Sequence, residues 1–382
     1  MRVRTRPALA LTSAVASVLV SLVLPATPAR ADDIRADSWH VKALELAELH
    51  KITQGEGVVV AVVDTGVDAT HPDLRDNVLP GVDLFDDGSR GRVDRQGHGT
   101  GMASLIAGHG HGPGGGDGVL GVAPRAKILP VTVQGERSSV IAPSAVAAGI
   151  QWAIDAGADI INVSLSSSHH LDLDRAVERA YQKGVVVVAG VGNRSDVVIG
   201  NPARHPGAVA VNGTTRTDTV SREAALPAEE VDIAAPGEDL IQAIPGRRYA
   251  TATGSSGAAA IVSGALALIK ARYPDLTAYQ MFQRLLETSR DVGDKGKDLD
   301  HGWGVLDLRR ALTGEPDGRA GHTPAAKDPV QDPDLAGARS VAGPGAEETL
   351  FVVLLWVGFL VIAAGAVATV LVLRRRAAPE GR

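Results

Sequence analysis

Val58-Val59-Val60-Ala61-Val62-Val63 runs without a polar residue and stops at Asp64-Thr65-Gly66. A strand half-exposed on one face alternates apolar and polar residues. A run that is apolar throughout and mostly β-branched reads instead as a strand buried on both faces, as in a parallel sheet. Similar runs recur at residues 127–133, 160–165, 185–190 and 209–211, with helical patterns between them at 101–108, 144–155 and 173–183. Strands alternating with helices predict an α/β fold, a mostly parallel twisted sheet with helices on both faces. Chemistry in such sheets gathers at the C-terminal ends of the strands, which is where Asp64 stands.

The flanking segments divide the chain of 382 residues further. Residues 1–31 carry a basic start, an apolar run and Ala29-Arg30-Ala31, the pattern of a signal peptide. A short extension, 32–57, precedes the globular domain at 58–312 and holds a predicted helix over 41–52. It has too few residues for an independently folded module. A late helix opens at Thr277 with a capping box closed by Gln280. Residues 313–348, rich in Pro, Gly and Ala, read as a linker. Residues 349–373 form one apolar stretch without basic residues, long enough to span a bilayer as a helix. Arg374-Arg375-Arg376 follows at once and assigns the tail, 374–382, to the cytoplasm.

Composition narrows the chemistry. A net charge of -6 offers nothing to nucleic acid, and the absence of Cys excludes disulfides, a thiol nucleophile and Cys-ligated metal. Three segments then read together. Asp64 closes a strand; His98 lies in Gly97-His98-Gly99-Thr100 at a helix start; Ser256 lies in Thr253-Gly254-Ser255-Ser256-Gly257, opening a long apolar helix. A serine there can simply cap a helix. With a histidine to take its proton and a buried carboxylate to orient that histidine, it becomes a nucleophile. Asp-Thr-Gly also marks aspartic proteases, but those need two such aspartates and this chain has one.

The order Asp, His, Ser, together with Leu120-Gly-Val-Ala-Pro124, Ile161-Asn-Val-Ser-Leu165, Val185 to Asn193 and Gly302-Trp303-Gly304, resembles the subtilisin (subtilase) family of serine proteases over roughly residues 55–312. That resemblance implies a serine endopeptidase in which Asp64, His98 and Ser256 are catalytic and Asn193 is the side-chain donor to the oxyanion. It implies that Ser164, Leu165 and Ser166 form the edge on which an extended peptide lies, opposite Val140 and Ile141. It also implies that Gly190, Val191 and Gly192 line the specificity pocket. Ser255 stands where the family usually has Thr, Ala260 where it usually has Pro, and Gly101 where a bulkier residue is usual; the last is expected to loosen its helix. The Gly-rich loop 108–118 lies where many relatives carry a calcium loop, yet it offers Asp117 nearly alone beside His109 and His111, so neither metal nor cofactor is expected. The layout as a whole resembles the mycosins, which are associated with type VII secretion. The implied partners are a protein or peptide substrate, the membrane and secretion components. A tethered domain serving chiefly as a stabilising subunit of a membrane complex is the alternative.

Overall fold

The computed structural model describes residues 33–135, 140–194, 196 and 199–318. The expected signal peptide, transmembrane helix and tail, and all but the first residues of the linker, lie outside the described residues. Among the described residues no helix is long and apolar enough to cross a membrane.

The chain begins with three short helices, α1 (Asp33–Asp37), α2 (Trp39–Ala43) and α3 (Leu46–Leu49). It continues through β1 (Val59–Asp64), β2 (Val82–Asp83), α4 (His98–Ala107), β3 (His109–His111), β4 (Asp117–Leu120) and β5 (Lys127–Thr132). Then come α5 (Pro143–Asp155), β6 (Ile160–Val163), α6 (Leu171–Gln182), β7 (Val186–Gly190), β8 (Ala208–Thr214) and β9 (Ile233–Pro236). A hairpin of β10 (Leu240–Ile244) and β11 (Arg248–Ala252) leads into α7 (Ser255–Arg272), α8 (Ala278–Glu287) and α9 (Leu308–Thr313). Seven strands form one sheet in the order β2-β5-β1-β6-β7-β8-β9, every neighbouring pair parallel.

The valine-rich strands behave as a two-sided sheet requires. Val60 and Val62 enter one core with Ile128, Val188 and Val209, while Ala61 and Val63 enter the other with Leu129, Val131 and Val187. Helices α5 and α6 cover the second core; the buried Leu173, Ala176, Val177 and Ala180 of α6 recur at helical spacing. Helices α4 and α7 cover the first. Nearly all of α7 is buried, and its small residues admit close packing: a side chain at Gly264 would overlap Val122. Each fully buried Val, Leu or Ile contributes about 1.5–3 kcal/mol. Thr277 and Gln280 form the reciprocal cap that opens α8.

The single helix expected over 41–52 is instead two, α2 and α3, broken at Glu45 in a left-handed conformation (φ 54°). On one straight helix Leu44 and Leu46 would point about 200° apart. The break turns Leu44, Leu46 and Leu49 into the same core. The extension is thus packed into the domain. Arg35 donates to the carbonyls of Gly115 (3.0 Å) and Gly118 (3.1 Å), Trp39 Nε1 to that of Glu238 (2.9 Å), and His50 Nε2 bonds that of Val122 (2.9 Å). None of its hydrogen bonds among the described residues reaches Asp64, His98, Asn193 or Ser256. At Gly101 of α4 a Cβ would lie 2.6 Å from Gln242 Cδ, so the missing side chain makes room for a buried glutamine.

Candidate active site

Asp64 ends β1 with its side chain fully buried, and α4 begins close enough to touch it. That approach depends on Gly99, whose Cβ would lie 2.1 Å from the Gly66 carbonyl oxygen and 3.1 Å from Asp64 Cβ. His98 Nδ1 is 2.8 Å from Asp64 Oδ1 and 2.9 Å from Oδ2. A carboxylate only accepts, so Nδ1 carries the proton and Nε2 is left as the base. The Thr65 amide donates to the same Oδ1 at 2.8 Å and holds the carboxylate still. The His98 side chain is 36% exposed, enough to meet a substrate. Burial is the strongest single influence on its ring and lowers its proton affinity. The charge and hydrogen bond of Asp64, with Asp94 farther off, together outweigh burial and raise His98 above the ordinary histidine value.

Asp94 is a residue that sequence reasoning missed. Its buried Oδ1 accepts from Thr65 Oγ1 (3.0 Å) and from the amides of Gln96 (2.9 Å) and Gly97 (2.8 Å). Its Oδ2 accepts from the Thr100 amide (2.9 Å) and hydroxyl (2.6 Å). One carboxylate therefore satisfies the Gly97 and Thr100 amides at the start of α4, favours the positive end of that helix and fixes the turn that presents His98. An Asp four residues before the histidine, just ahead of a predicted helix, was the signal available.

Ser255 and Ser256 differ sharply in surroundings. Ser255 is 2% exposed, and its Oγ accepts from the Gly192 amide at 3.1 Å. Gly190 ends β7 so close that a Cβ would lie 2.8 Å from that oxygen. Ser255 thus ties β7 to the start of α7 and has no path to a substrate, whereas Ser256 is half-buried at the surface of the same turn. The Ser256 hydroxyl donates to the Ser164 carbonyl at 3.0 Å, and among the described residues no hydrogen bond joins it to His98. Ser164 Oγ in turn reaches the Ser256 carbonyl and Asn162 Oδ1, each at 3.0 Å, and Asn162 Nδ2 donates to Ser263 Oγ at 3.1 Å. A buried polar chain therefore runs beneath the first turns of α7, and Asn162 is its hub.

Asn193 Oδ1 accepts from the Ser255 amide at 3.0 Å. An amide hydrogen needs an acceptor, so this contact fixes which way the side chain is turned and leaves Nδ2 facing away from Ser255. Asp196 Oδ2 holds the Asn193 backbone amide at 2.7 Å. The arrangement can present a side-chain N–H at a helix start, where a developing oxyanion is best stabilised.

The remaining sequence candidates sort less evenly. Ser164 is buried, Leu165 packs into the second core and Ser166 is exposed, all just beyond β6. Val140 is exposed and Ile141 leans on the second core. The Val191 side chain is fully buried beside Ile199, Ala203 and Ala210, so any contribution of this residue to a pocket comes from its backbone. In the Gly-rich loop, His111 Nδ1 bonds the buried Asp73 at 2.6 Å and His109 Nδ1 the Gly110 carbonyl at 2.7 Å. Among the described residues no three such groups are arranged to hold a metal.

A parallel α/β sheet with an oriented histidine at one strand end and a serine opening a buried helix at the same rim is the architecture of the subtilases, and the chain belongs to that family. The subtilase family model matches residues 55–304. Subtilisin DY of Bacillus licheniformis is 35% identical over 263 residues, 68% of this chain and 92% of its own. Subtilisin Savinase of Lederbergia lenta is 37% identical over 257 residues, 67% of this chain and 92% of its own. Among solved structures, MycP1 with its N-terminal propeptide removed is similar at a TM-score of 0.64 and 30% identity, covering 72% of this chain and 97% of that one. The MycP3 protease from the type VII (ESX-3) secretion system is similar at 0.63 and 30%, covering 77% and 91%. The protein is a serine endopeptidase of the subtilisin type, and the likeness to mycosins read from its sequence extends to these two structures.

Proposed function

We propose that the protein hydrolyses peptide bonds through an acyl-enzyme, with Ser256 as nucleophile, His98 as general base and then acid, Asp64 as its orienter and Asn193 as an oxyanion donor. The observation that carries this reading is the pair of contacts at 2.8 and 2.9 Å between His98 Nδ1 and the buried Asp64 carboxylate, beside an accessible Ser256. An extended substrate lying along Ser164–Ser166 brings a backbone N–H that competes for the Ser164 carbonyl. The Ser256 hydroxyl, released from that acceptor, turns to His98 Nε2; hydrogen bonds of this kind often tighten only once substrate is bound. Ser256 Oγ then bonds the carbonyl carbon as its proton passes to His98, and the negative charge collects on the carbonyl oxygen near Asn193 Nδ2 and the Ser256 amide. His98 returns the proton to the leaving amine. Water repeats the sequence on the ester.

The domain works outside the cytoplasmic membrane in this reading. Residues 1–31 direct export, residues 349–373 anchor the chain and residues 374–382 stay in the cytoplasm; the apolar runs and flanking arginines support it. The similarity to MycP1 and MycP3 supports association with a type VII secretion system. A serine-directed fluorophosphonate is expected to label the full chain at Ser256 and to abolish peptide cleavage. Equal, background labelling of wild type and Ser256→Ala, with neither cleaving peptide, would sink the triad assignment. Extraction of the full chain into alkaline carbonate, as readily as a chain lacking 349–373, would count against the anchor.

A further inference from the structure

A cleft of about 370 Å³ opens beside the histidine, bordered by Thr65, the residue after Asp64, and by Gln96, two residues before His98. Two of its lining side chains are apolar and exposed: Phe85 is 59% exposed and Val93 41%. Solvent-facing apolar side chains of this size, gathered at a concave surface, mark a place where something binds. The interior is polar. Thr132 lies at the end of β5, and its buried Oγ1 has no hydrogen-bond partner among the described residues.

The charge lining this cleft is uneven. Asp83 is 3% exposed, and its carboxylate accepts from the amides of Phe85 (2.9 Å) and Asp86 (3.2 Å) and from the Ser89 hydroxyl (2.6 Å). All three donors are neutral, and among the described residues no Lys, Arg or His forms an ion pair with it. Asp86 also lines the cleft, and its pairing with Arg95 is loose at 3.6 Å. Among the described lining residues two carboxylates thus face one guanidinium, and the buried carboxylate lies where the field is least screened. Apolar walls above a negative interior suit a side chain with a long hydrocarbon stem and a cationic tip.

We propose that this cleft is a specificity subsite that takes a lysine or arginine side chain of the substrate on the His98 side of the scissile bond. The proposal rests on the endopeptidase reading and names the substrate class it selects. The stem lies against Phe85 and Val93, and the tip meets the field of Asp83 and Asp86. Neither carboxylate belongs to the catalytic apparatus, so altering either changes which peptide is preferred and leaves the chemistry of cleavage intact.

The test uses the full chain and peptides in which lysine, or its uncharged isostere norleucine, is placed in turn at each position flanking the bond cleaved. Asp83→Asn keeps an oxygen for the two amides and removes the charge, so the loop stays held. Wild type should show one position where kcat/KM favours lysine over norleucine. Asp83→Asn should lower that ratio about tenfold and Asp86→Asn two- to threefold, the exposed charge counting less, with norleucine peptides cleaved as before. No lysine preference at any position, or a preference unchanged in Asp83→Asn, overturns the subsite while leaving the protease reading intact. Fluorescence anisotropy of the same labelled peptides on Ser256→Ala separates the two failures. If wild type cleaves no peptide yet the lysine peptide binds more tightly than norleucine, and that preference is lost in Ser256→Ala with Asp83→Asn, the subsite stands without the protease reading.

Discussion

Replacing Asn193 separates two jobs that one side chain performs. Its Oδ1 holds the Ser255 amide at 3.0 Å, and its Nδ2 is the proposed donor to the oxyanion. Asn193→Ala loses both. The missing donor should lower kcat by about 10²–10³, or 2.7–4 kcal/mol, with little change in KM because the charge it serves exists only in the transition state. The Ser255 amide, on a residue only 2% exposed, loses its acceptor at a cost of about 1–3 kcal/mol in stability. Asn193→Asp keeps the acceptor, so its unfolding midpoint should stay near that of wild type. It replaces the donor with a carboxylate facing the developing negative charge, so kcat should fall at least as far as in the alanine variant. Steady-state kinetics on one peptide, with denaturant unfolding of each variant, reads both effects. An Asn193→Asp enzyme with near wild-type kcat, or an alanine variant altered in KM alone, would refute the oxyanion assignment.

Three further outcomes follow from the same geometry. Ser255→Ala should still react with a fluorophosphonate, cleaving a few-fold more slowly because the Gly192 amide loses a bond of about 1 kcal/mol, whereas Ser256→Ala should not react; mass spectrometry locating the adduct on Ser255 would reverse the assignment. His98 accepts a proton only when neutral and its affinity is raised above 6.5, so kcat/KM should fall as pH drops through a midpoint above that value. The same raised affinity stabilises the fold fully below the unfolded histidine value and ceases to do so as pH rises through the folded one. In Asp64→Asn the activity limb should move to lower pH and kcat should drop by about 10⁴; a limb that does not move would exclude His98 as the titrating base. Burial, the largest influence, with Arg35 nearby, lowers buried His40 to about 4 despite its bond to the Leu120 carbonyl. The unfolded chain therefore binds more protons between about 4 and 6.5, and about 3 kcal/mol of stability should be lost as pH falls across that window. His40→Gln should flatten that dependence in urea titrations at several pH values, and an equally steep variant would show that another group is responsible.

Ser255 and Ser256 are both hydroxyls on the same turn, and only the register of the family motif singled out Ser256 in the sequence. Burial supports that choice: the Ser255 oxygen is spent on the Gly192 amide within the core, whereas Ser256 is half-buried and its hydroxyl rests on the Ser164 carbonyl. The roles of Asp94 and Asn162 and the cleft beneath Phe85 were not read from the sequence, because each gains its meaning from partners brought in from other elements. The valine run before Asp64, by contrast, needed no partner to be read. Fold class follows from a local rule, that a chain apolar on both faces of a strand must be covered on both faces, and such periodicity survives in one dimension. The break at Glu45, the rotamer of Ser256 and the inward turn of Val191 are settled by competition for space and hydrogen bonds among residues far apart in the chain. Those contacts exist only once the chain has closed on itself.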